Sequence, residues 1–580
     1  MKKIEIRNII LAKNPGFLSS FPQFVRNLAF SLIEKFLKLN EINMFLEKNR
    51  NLRGIDFIDE FFEYLDFSYI ISKKERDRIP SEGRLIIISN HPLGGLDGLA
   101  LLKLVSEVRK DVRIVVNDVL THITNLSDHF LPVNVFNSEI QRENYLKIGM
   151  ALKNEEAVII FPAGEVSRLT PGGVKDGKWN KGILTFAKKF NADILPVHVS
   201  ARNSVLFYLF SMIHKRASVF LLPAQLFNKR HRNILIRIGE PICQSTIFNS
   251  IDTAKMQLKL LKKHLYRIGS NKNGVYKTEK SIIQPPDHKE VVKQLSTSLL
   301  LGSMHDGKEL RLVKGDNSTA VIKEIARLRE ITFRKIGEGT GRKLDNDISD
   351  NYYSHLVLWD PTGQDIIGAY RMGDCRKIIE NHGISNLYTG TLFNFSDDFI
   401  PLLNETAELG RSFIRSHYWN TNALDYLWQG LGAWLSLNPH IRYLMGGVSL
   451  SGAYPPEAAA LIIYYFKKWY SADEELAVSK NRYLLSSELN REISAILNSA
   501  DAASDWQILK SKLQQFNLSV PPLFRQYTNL CEPDGVRFLD FGIDPDFGNC
   551  IDGFILIDLT RIKPEKRARY FKTLRKSGAA

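Results

Sequence analysis

The sequence predicts an α/β protein of two domains, an α/β sandwich followed by a mixed α/β domain. Between Leu85 and Ile242, short apolar runs alternate with helical stretches, which is the pattern of a mainly parallel sheet covered by helices. A polar stretch follows, and beyond it strands and helices resume without repeating the first pattern. The chain of 580 residues is also too long for a single hydrophobic core.

The first domain is expected to open with an amphipathic helix over residues 17–39. Its apolar face is rich in phenylalanine, and Arg26, Lys35 and Lys38 occupy other positions. This composition fits either an interfacial membrane anchor or a helix packed on its own domain. A second apolar stretch, 205–212, fits an acyl-chain wall, a membrane-facing patch or a buried helix.

Strands of the first domain are predicted at five apolar runs. They are residues 85–88, 112–117, 157–161, 192–199 and 233–238, and a Lys-rich helix over 251–268 follows them. The next stretch contains Ser-Asn-Lys-Asn-Gly and Pro285-Pro286, so we predict a linker over 271–310. The expected domains are therefore 1–270 and 311–580.

The second domain shows a different order of elements. A hairpin is predicted from strands 356–359 and 366–372, joined by Asp360-Pro-Thr-Gly-Gln. The other predicted elements are helices at 321–333, 422–435 and 456–470 and strands at 443–449 and 554–558. Mixed elements of this kind indicate a second α/β domain.

The net charge of +15 implies an acidic partner. Nucleic acid is not expected, because the sequence has no zinc finger, basic zipper or aromatic RNA-binding signature. An anionic membrane surface and an acidic carrier protein remain. The four cysteines lie far apart without a CxxC pair, which argues against a disulfide scaffold or a metal site. With no secretory signal and no apolar run long enough to span a bilayer, we expect a cytoplasmic protein lying on the inner face of the membrane.

The segment 84–98 carries the first candidate catalytic pair. A buried strand leads into a glycine-rich loop that contains His91 and Asp97. A carboxylate beside a histidine fixes its tautomer and stabilises the imidazolium, which makes a general base at neutral pH. A histidine at a strand end is more often a capping or core residue, but the glycines and the blocks that follow favour catalysis.

A second block, 161–168, follows another predicted strand. Its turn-forming residues put the backbone amides around Gly164 and Glu165, together with Arg168, in a position to hold an anionic or ester group. Two more blocks, 131–137 and 194–199, accompany it.

Together these blocks resemble the glycerophosphate acyltransferase family, in particular its lyso-aminolipid O-acyltransferase branch, over residues 15–268. The resemblance implies that His91 deprotonates an acceptor hydroxyl, which attacks an acyl thioester, and that Asp97 orients the histidine. The chain departs from the family pattern in two ways. One extra residue separates His91 from Asp97, and Ala163 stands where glutamate is common in the phosphate site. A weakened phosphate site suits an acylated amino acid as the acceptor.

The second domain carries a separate series of candidate residues, all of them charged except Phe333. The series is Arg329, Phe333, Asp345, Asp347, Asp350, Arg371, Glu408 and Arg411. Taken alone, Glu408 and Arg411 are best explained as an internal salt bridge. The whole series is similar to the acyl-carrier-protein-dependent N-acyltransferases related to homoserine-lactone synthases, which have the N-acetyltransferase-like (GNAT) fold. Ornithine N-acyltransferases are the better match, and stretches 520–527 and 546–558 resemble their C-terminal signature.

The second resemblance implies an α-amine that attacks a 3-hydroxyacyl thioester. By position, Glu408 assists deprotonation, Asp345 and Asp347 hold the amino acid, and Arg371 and Arg411 bind the acyl-carrier arm or the substrate carboxylate. No metal and no cofactor is expected beyond the acyl donor, which is an acyl-acyl carrier protein or acyl-CoA.

The fusion of the two domains is itself informative, because the product of one step is the acceptor of the other. Tethering the two raises the local concentration of that intermediate. The arrangement resembles the bifunctional ornithine lipid synthases, with the two steps encoded in reverse order. The expected amino acid is ornithine, and glycine is its chief competitor. Two alternatives stay open: a lyso-lipid O-acyltransferase with a non-catalytic C-terminal module, and a non-enzymatic peripheral membrane protein.

Overall fold

The computed structural model describes residues 16, 21–36, 38–117, 120, 123–133, 138–213, 221–248, 252–315, 319–471 and 475–571. The chain divides into two compact units, Met1–Gln284 and Pro285–Ala580. Each unit combines helices with a large β-sheet, so the predicted fold class is confirmed.

Unit 1 is built on a sheet of seven strands and a small separate hairpin. The strands are β1 (Phe67–Ile70), β2 (Leu85–Ser89), β3 (Val112–Asn117), β4 (Phe130–Val133), β5 (Ala157–Ile160), β6 (Arg168–Thr170), β7 (Gly173–Lys175), β8 (Asp193–Ser200) and β9 (Arg232–Ile238). The sheet order is β1-β9-β8-β2-β5-β3-β4, and β6 pairs with β7. All neighbours in the large sheet are parallel except β8 and β9, as the alternating pattern predicts.

The helices of unit 1 cover both faces of this sheet. They are α1 (Gln23–Phe36), α2 (Leu39–Lys48), α3 (Gly54–Leu65), α4 (Lys73–Arg76), α5 (Gly95–Ser106), α6 (Ser138–Lys153), α7 (Gly182–Phe190), α8 (Val205–Ile213), α9 (Leu222–Phe227), α10 (Gln244–Phe248) and α11 (Ala254–Gly269). Leu85 and Ile87 pack into one core, and Ile86 and Ile88 into a second core on the other face. Because β2 is buried on both faces, its sequence is continuously apolar rather than alternating.

Two helices of unit 1 expose apolar side chains. On α1, Phe24 and Leu28 are exposed, and residues 17–20 of the predicted helix lie outside the described ranges. On α8, Phe207 is buried, whereas Leu206 is 77% exposed and Met212 is 71% exposed. The stretch 205–212 is therefore a half-buried helix with one apolar face in solvent. No helix in the described ranges has both the length and the apolarity that crossing a bilayer requires.

Unit 2 is built on a sheet of eight strands. The strands of the unit are β10 (Leu299–Ser303), β11 (Glu309–Lys314), β12 (Ser354–Asp360), β13 (Asp365–Asp374), β14 (Phe393–Phe395), β15 (Thr406–Ile414), β16 (Tyr443–Leu450), β17 (Ala477–Ser479), β18 (Val536–Asp544) and β19 (Cys550–Asp558). The order is β10-β11-β12-β13-β15-β16-β19-β18, and β14 pairs with β17 apart from it. The predicted hairpin is confirmed as β12 and β13.

The helices of unit 2 pack on both faces of its sheet. They are α12 (His288–Thr297), α13 (Ala320–Lys335), α14 (Cys375–His382), α15 (Tyr388–Leu392), α16 (Ala423–Ser436), α17 (Pro456–Tyr470), α18 (Ser487–Ile496), α19 (Ala502–Gln515), α20 (Pro522–Thr528) and α21 (Pro564–Tyr570). Short 3₁₀ turns lie at Thr124–His129, Ile348–Asn351, Ile384–Asn386, Ile400–Glu405, Ser416–Tyr418 and Leu559–Arg561. The core on one face includes side chains of α16 and α17, and two smaller cores lie elsewhere in the unit.

The range predicted as a linker, 271–310, contains regular structure. Helix α12 begins after Asp287, whose side chain caps the amide of Lys289, and it buries Val291 and Leu295. Strand β10 then joins the edge of the large sheet. Both elements belong to unit 2. The sequence did not predict helix α12, because a short helix with only two buried apolar residues has little hydrophobic signal in a polar sequence.

Strands β15 and β16 separate part-way along their length. They are parallel and pair only at Thr406, Ala407 and Glu408 of β15. Beyond Glu408, β15 continues to pair with β13 on its other side, where a bulge falls opposite Tyr370. Arg411 lies in this bulge with a φ of 48°, so its side chain is redirected relative to a regular strand. The splay opens a gap in the middle of the sheet.

Candidate active sites

The site of unit 1 lies where two neighbouring parallel strands end. Strand β2 ends just before His91, and β5, which pairs with it, ends just before Phe161. Carboxyl ends of parallel strands meet at one edge of a sheet, so the two loops are adjacent. The rings of His91 and Phe161 stack with their centroids 3.9 Å apart. The amide of Ser167 donates a hydrogen bond of 2.7 Å to the His91 carbonyl, which fixes the second loop against the first.

Asp97 holds the histidine from the first turn of α5. His91 Nδ1 lies 3.1 Å from Asp97 Oδ1, and the aspartate side chain is completely buried. Asp97 also accepts hydrogen bonds from the amides of Leu93, at 2.8 Å, and Gly98, at 2.9 Å. These two hydrogen bonds fix the position of the carboxylate at the start of α5. The structure therefore brings the predicted pair together.

Gly94 accommodates the extra residue between His91 and Asp97. It lies immediately before α5 and has a φ of 90°, a conformation that residues with a Cβ rarely adopt. A Cβ atom at this position would also lie 3.4 Å from the side chain of Leu222. The turn at Gly94 lets the histidine and aspartate meet despite the longer spacing.

Asp176 is a second carboxylate close to His91. Its Oδ1 accepts hydrogen bonds from the Ser167 hydroxyl at 2.5 Å and the His91 amide at 3.2 Å. Its Oδ2 accepts one from Trp179 Nε1 at 3.0 Å. Burial lowers the pKa of His91, but the charge of Asp97, the hydrogen bond to it and the charge of Asp176 more than offset this, so the pKa is raised above 6.5.

The loop 161–168 contributes the three residues predicted to bind substrate. Gly164 is exposed and turns the chain with a φ of 64°. Arg168 Nη2 lies 4.0 Å from Glu165 Oε2, and its guanidinium lies 5.6 Å from the centre of the Phe207 ring. Partial burial lowers the pKa of Arg168. The loop contacts His91 through Phe161 and Ser167, and residues 134–137 of the accompanying block 131–137 lie outside the described ranges.

In unit 2, two buried arginines share the carboxylates of a single loop. Arg329 Nη1 and Nη2 lie 3.0 and 2.7 Å from the two oxygens of Asp350. Arg371 Nη1 lies 2.6 Å from Asp347 and 3.2 Å from Asp350. The charges of Arg329 and Arg371 outweigh the effect of burial and hold the pKa of Asp350 well below its usual range. The loop is therefore fixed to α13 and β13 by paired charges.

Asp345 and Asp347, which are predicted to hold the amino acid, form ion pairs with arginines of the protein. Asp345 Oδ1 lies 3.3 Å from Arg411 Nε, and Asp345 Oδ2 lies 3.4 Å from Arg329 Nε. The carboxylate of Asp347 is ion-paired with Arg371. A guanidinium buried this deeply needs a counter-charge, and the two aspartates supply it.

Arg371 nevertheless keeps one nitrogen available. Its Nη2 is buried and has no hydrogen-bond partner within the described residues. The guanidinium lies 5.3 Å from the centre of the Tyr353 ring and 5.1 Å from that of Tyr388. Arg411 also contacts Tyr388, by a hydrogen bond of 2.9 Å from Nη1 to the hydroxyl. The two predicted anion-binding arginines are thus brought together around one tyrosine.

Glu408 is buried and both of its oxygens are occupied. The Tyr353 hydroxyl and the Tyr388 amide donate to Oε2, and the Thr389 amide donates to Oε1 at 2.5 Å. Burial and the charge of Glu408 raise the pKa of Tyr353 well above 10. This arrangement fixes the start of α15 at the splay, and it gives Glu408 the geometry of a positioning group rather than that of an open base.

Several residues of these sites had no signal in the sequence. Asp176 follows the loop 161–168 and Tyr353 follows Asp350 closely in the chain, but the contacts that bring them to the sites, with His91 and Glu408, are long-range, as is that of Tyr388 with Arg411. Asp552 belongs to the C-terminal stretch 546–558 that the sequence did single out. It lies on β19 opposite Ser449 of β16 and Gly542 of β18.

Family models match both halves of the chain. The model described as "Acyltransferase" matches residues 9–274, and the model described as "Acetyltransferase (GNAT) domain" matches residues 328–429. The chain is 32% identical over 308 residues to the glycine N(alpha)-acyltransferase of Bacteroides thetaiotaomicron, a match that covers 49% of this chain and 90% of that protein. The chain belongs to the acyltransferases.

Further relatives of this acyltransferase extend the comparison to the other half. The chain is 29% identical over 272 residues to the lyso-glycine lipid O-acyltransferase of Phocaeicola vulgatus. That match covers 46% of this chain and 95% of that protein. The chain is 26% identical over 269 residues to the L-ornithine N(alpha)-acyltransferase of Brucella abortus, which covers 44% of this chain and 85% of that protein. The enzyme therefore joins an O-acyltransferase-like domain to a GNAT domain, as both resemblances predicted.

Proposed function

We propose that this enzyme builds an aminolipid by two successive acyl transfers. Unit 2 transfers a 3-hydroxyacyl group to the α-amine of an amino acid, and unit 1 then transfers a second acyl group to the new 3-hydroxyl. The observation that carries the proposal is that the relatives are named for two steps on one lipid, glycine N-acylation and lyso-glycine lipid O-acylation. One chain that joins both domains passes the intermediate between them at high local concentration.

In unit 1, His91 acts as the general base. The neutral imidazole takes the proton of the acceptor hydroxyl, the oxygen attacks the thioester carbonyl, and the carbon–sulfur bond breaks to release a thiol. Asp97, 3.1 Å from Nδ1, stabilises the imidazolium that forms. The amides of the loop 161–168 and Arg168 are the donors available to the developing oxyanion.

In unit 2, the acyl thioester binds at the splay between β15 and β16. Backbone groups beyond Glu408 are not paired across the splay, so they are free to bond an extended acyl-carrier arm. Arg371 Nη2 donates to the substrate carboxylate or to a carbonyl of this arm. Glu408 holds the start of α15 beside it.

Glycine is the amino acid that the relatives of both halves favour, because each of those proteins is named for glycine or its lipid. Ornithine is the second candidate, supported by the similarity to an L-ornithine N(alpha)-acyltransferase. Ornithine differs from glycine in having a side chain that ends in an ammonium group.

We expect the positive charge of the chain to attract both the acyl donor and the membrane. A net charge of +15 attracts an acidic acyl carrier protein and the anionic inner leaflet of the cytoplasmic membrane. The exposed apolar face of α8 is the surface that we assign to the lipid. The contact of Phe207, on the buried face of the same helix, with Arg168 supports this assignment.

The test uses the purified full-length enzyme with glycine or ornithine, a 3-hydroxyacyl thioester and a second acyl thioester. Wild type should form the N-acyl amino acid first and the diacyl lipid afterwards, as followed by mass spectrometry. His91→Ala should stop at the monoacyl product. An enzyme that esterifies a supplied lyso-lipid but never forms an amide would instead support the O-acyltransferase with a non-catalytic C-terminal module.

A further inference from the structure

A second acidic group in unit 2 is distinct from the aspartates that bind arginine. Asp552 lies on β19 opposite Gly542 of β18 and Ser449 of β16. Asp544, two residues beyond Gly542, projects from the same face of the sheet as Asp552. Two carboxylates therefore stand side by side on one face, where β16 borders the splay.

Glu338 joins this group from the loop after α13. Gly337, with a φ of 77°, ends the helix, and the Ser451 hydroxyl lies 3.4 Å from its carbonyl. The backbone of Glu338 packs against the β18–β19 turn, since a Cβ at Gly548 would lie 3.5 Å from Glu338 Cα. This contact brings the Glu338 carboxyl to the Asp552 side of the turn.

The carboxylate of Asp552 is only partly satisfied, by a hydrogen bond with Ser449, and that of Glu338 is unpaired among the described residues. Asp552 is 4% exposed, and its Oδ1 has no hydrogen-bond partner. Glu338 is 9% exposed, and no hydrogen bond or ion pair to its carboxylate is found among the described residues. Asp347 and Asp350, by contrast, are both ion-paired. Leaving a buried carboxylate unpaired is costly, so a cationic ligand is expected here.

The surroundings of the pair are mainly acidic or neutral. The groups that face Glu338 are Asp552, Arg411, Cys550 and Tyr454, and those that face Asp552 are Asp544, Arg411, Tyr388, Cys550 and Ser449. Arg411 is the cation among them, and it is already bound to Asp345 and Tyr388. The site therefore has spare negative charge.

We propose that Glu338 and Asp552 bind the α-ammonium group of the amino-acid substrate and that Glu338 accepts its proton. The inference rests on the N-acylation proposed above and assigns its base. The ammonium gives one proton to the Glu338 carboxylate, and the neutral nitrogen attacks the thioester carbonyl. The carbon–nitrogen bond forms, the carbon–sulfur bond breaks, and the thiolate leaves with the second proton from nitrogen.

The acidities of the two groups suit this role. Burial and the charge of Asp552 raise the pKa of Glu338 to about 8. Burial and the charge of Asp544 raise the pKa of Asp552 to about 7. A base whose pKa lies near that of an amine accepts its proton at little cost, which an ordinary glutamate does not. An ammonium bound between the pair adds a positive charge to that of Arg411, which is shared with Asp345.

The experiment measures kcat/KM for N-acylation by the full-length enzyme, with glycine and with ornithine, from neutral pH to about pH 9, where the free α-amine is abundant. Glu338→Gln should lower the neutral-pH value for both amino acids by roughly 10²-fold or more. The loss should shrink toward the alkaline end. Asp552→Asn should raise KM for both. The matched control is Glu380→Gln on α14, an exposed glutamate paired with Arg376.

A melting temperature for each variant, with and without the acyl thioester, shows that the fold and donor site are intact. Unchanged pH profiles in both variants would overturn the inference while leaving N-acylation in place. A loss confined to ornithine would also overturn it, since the acids would then hold the side-chain ammonium. A wild-type enzyme that forms no amide with either amino acid would overturn the proposed function and this inference together.

Discussion

His91 Nδ1 lies 3.1 Å from Asp97 Oδ1 although one residue more than usual separates them in sequence. The contact depends on the turn at Gly94 and on the amides that hold Asp97 at the start of α5. The geometry of this short loop therefore sets the His91–Asp97 contact on which the proposed general base depends.

Gly94→Ala should lower the rate of O-acylation, because the φ of 90° at this position strains any residue with a Cβ. Strain of this kind costs roughly 1–3 kcal/mol, and relieving it would move His91 away from Asp97. Gly95→Ala is the matched control, since a Cβ there makes only an ordinary contact of 3.4 Å with Leu226. Equal rates for the two variants would show that the turn does not set the catalytic geometry.

Asp176→Asn should shift the acidic limb of the O-acylation pH profile to lower pH. His91 must be neutral to accept a proton, and the charge of Asp176 helps to raise its pKa above 6.5. Removing that charge lowers the pKa, so activity persists further into the acidic range. The measurement is kcat/KM against pH, with exposed Asp128→Asn as the control. An acidic limb that stays in place would mean that Asp176 acts on loop structure alone.

Glu408→Gln should reduce N-acylation by a similar factor at every pH. The carboxylate accepts from one hydroxyl and two amides, and a glutamine amide would put a donor where acceptors are needed. A mismatch of this kind at a buried site costs about 1–3 kcal/mol. Tyr353→Phe, which removes one donor, should have a smaller effect. If the loss in Glu408→Gln instead vanished at alkaline pH, Glu408 would be the base that the sequence predicted.

Glu338→Gln should stabilise the folded enzyme at alkaline pH. The pKa of Glu338 is raised from 4.5 to about 8, so its contribution to stability is present below pH 4.5 and is lost as pH rises through 8. Neutral glutamine does not suffer this loss. The melting temperature of the variant relative to wild type should therefore be higher at about pH 9 than at about pH 5. A pH-independent difference would contradict the burial of an ionisable Glu338.

Leu206→Glu should weaken binding to anionic vesicles. Leu206 is 77% exposed on the apolar face of α8, where a charge opposes insertion into lipid. The control is Leu437→Glu, at another leucine, 61% exposed, in unit 2. Co-sedimentation at low and high salt separates this apolar contribution from the attraction of the basic chain, which salt screens. Equal binding by both variants would place the membrane contact elsewhere.

The sequence predicted the sheet of unit 1 and the His91–Asp97 pair because both signals are local. Continuous apolar runs mark strands buried on two faces, and the pair lies within one loop. Helix α12 was missed because its two buried residues, Val291 and Leu295, lie in a polar stretch. Local composition cannot report a short helix that is stabilised by packing against distant elements.

The electrostatics of unit 2 could not be predicted in the same way. The sequence singled out Asp345, Asp347 and Glu408 but gave no information on their partners. Those partners come from α13, β13, β15 and the start of α15, and only the fold brings them together. Glu338 and Asp552, more than two hundred residues apart in the chain, are neighbours for the same reason.

The most direct test is mass spectrometry of lipids from a host that lacks aminolipids and expresses this enzyme. Wild type should yield a diacyl aminolipid whose head-group mass identifies glycine or ornithine, and His91→Ala should yield the monoacyl form of the same lipid. A diacyl aminolipid produced equally by His91→Ala, or no aminolipid from wild type, would contradict two successive acyl transfers on one chain.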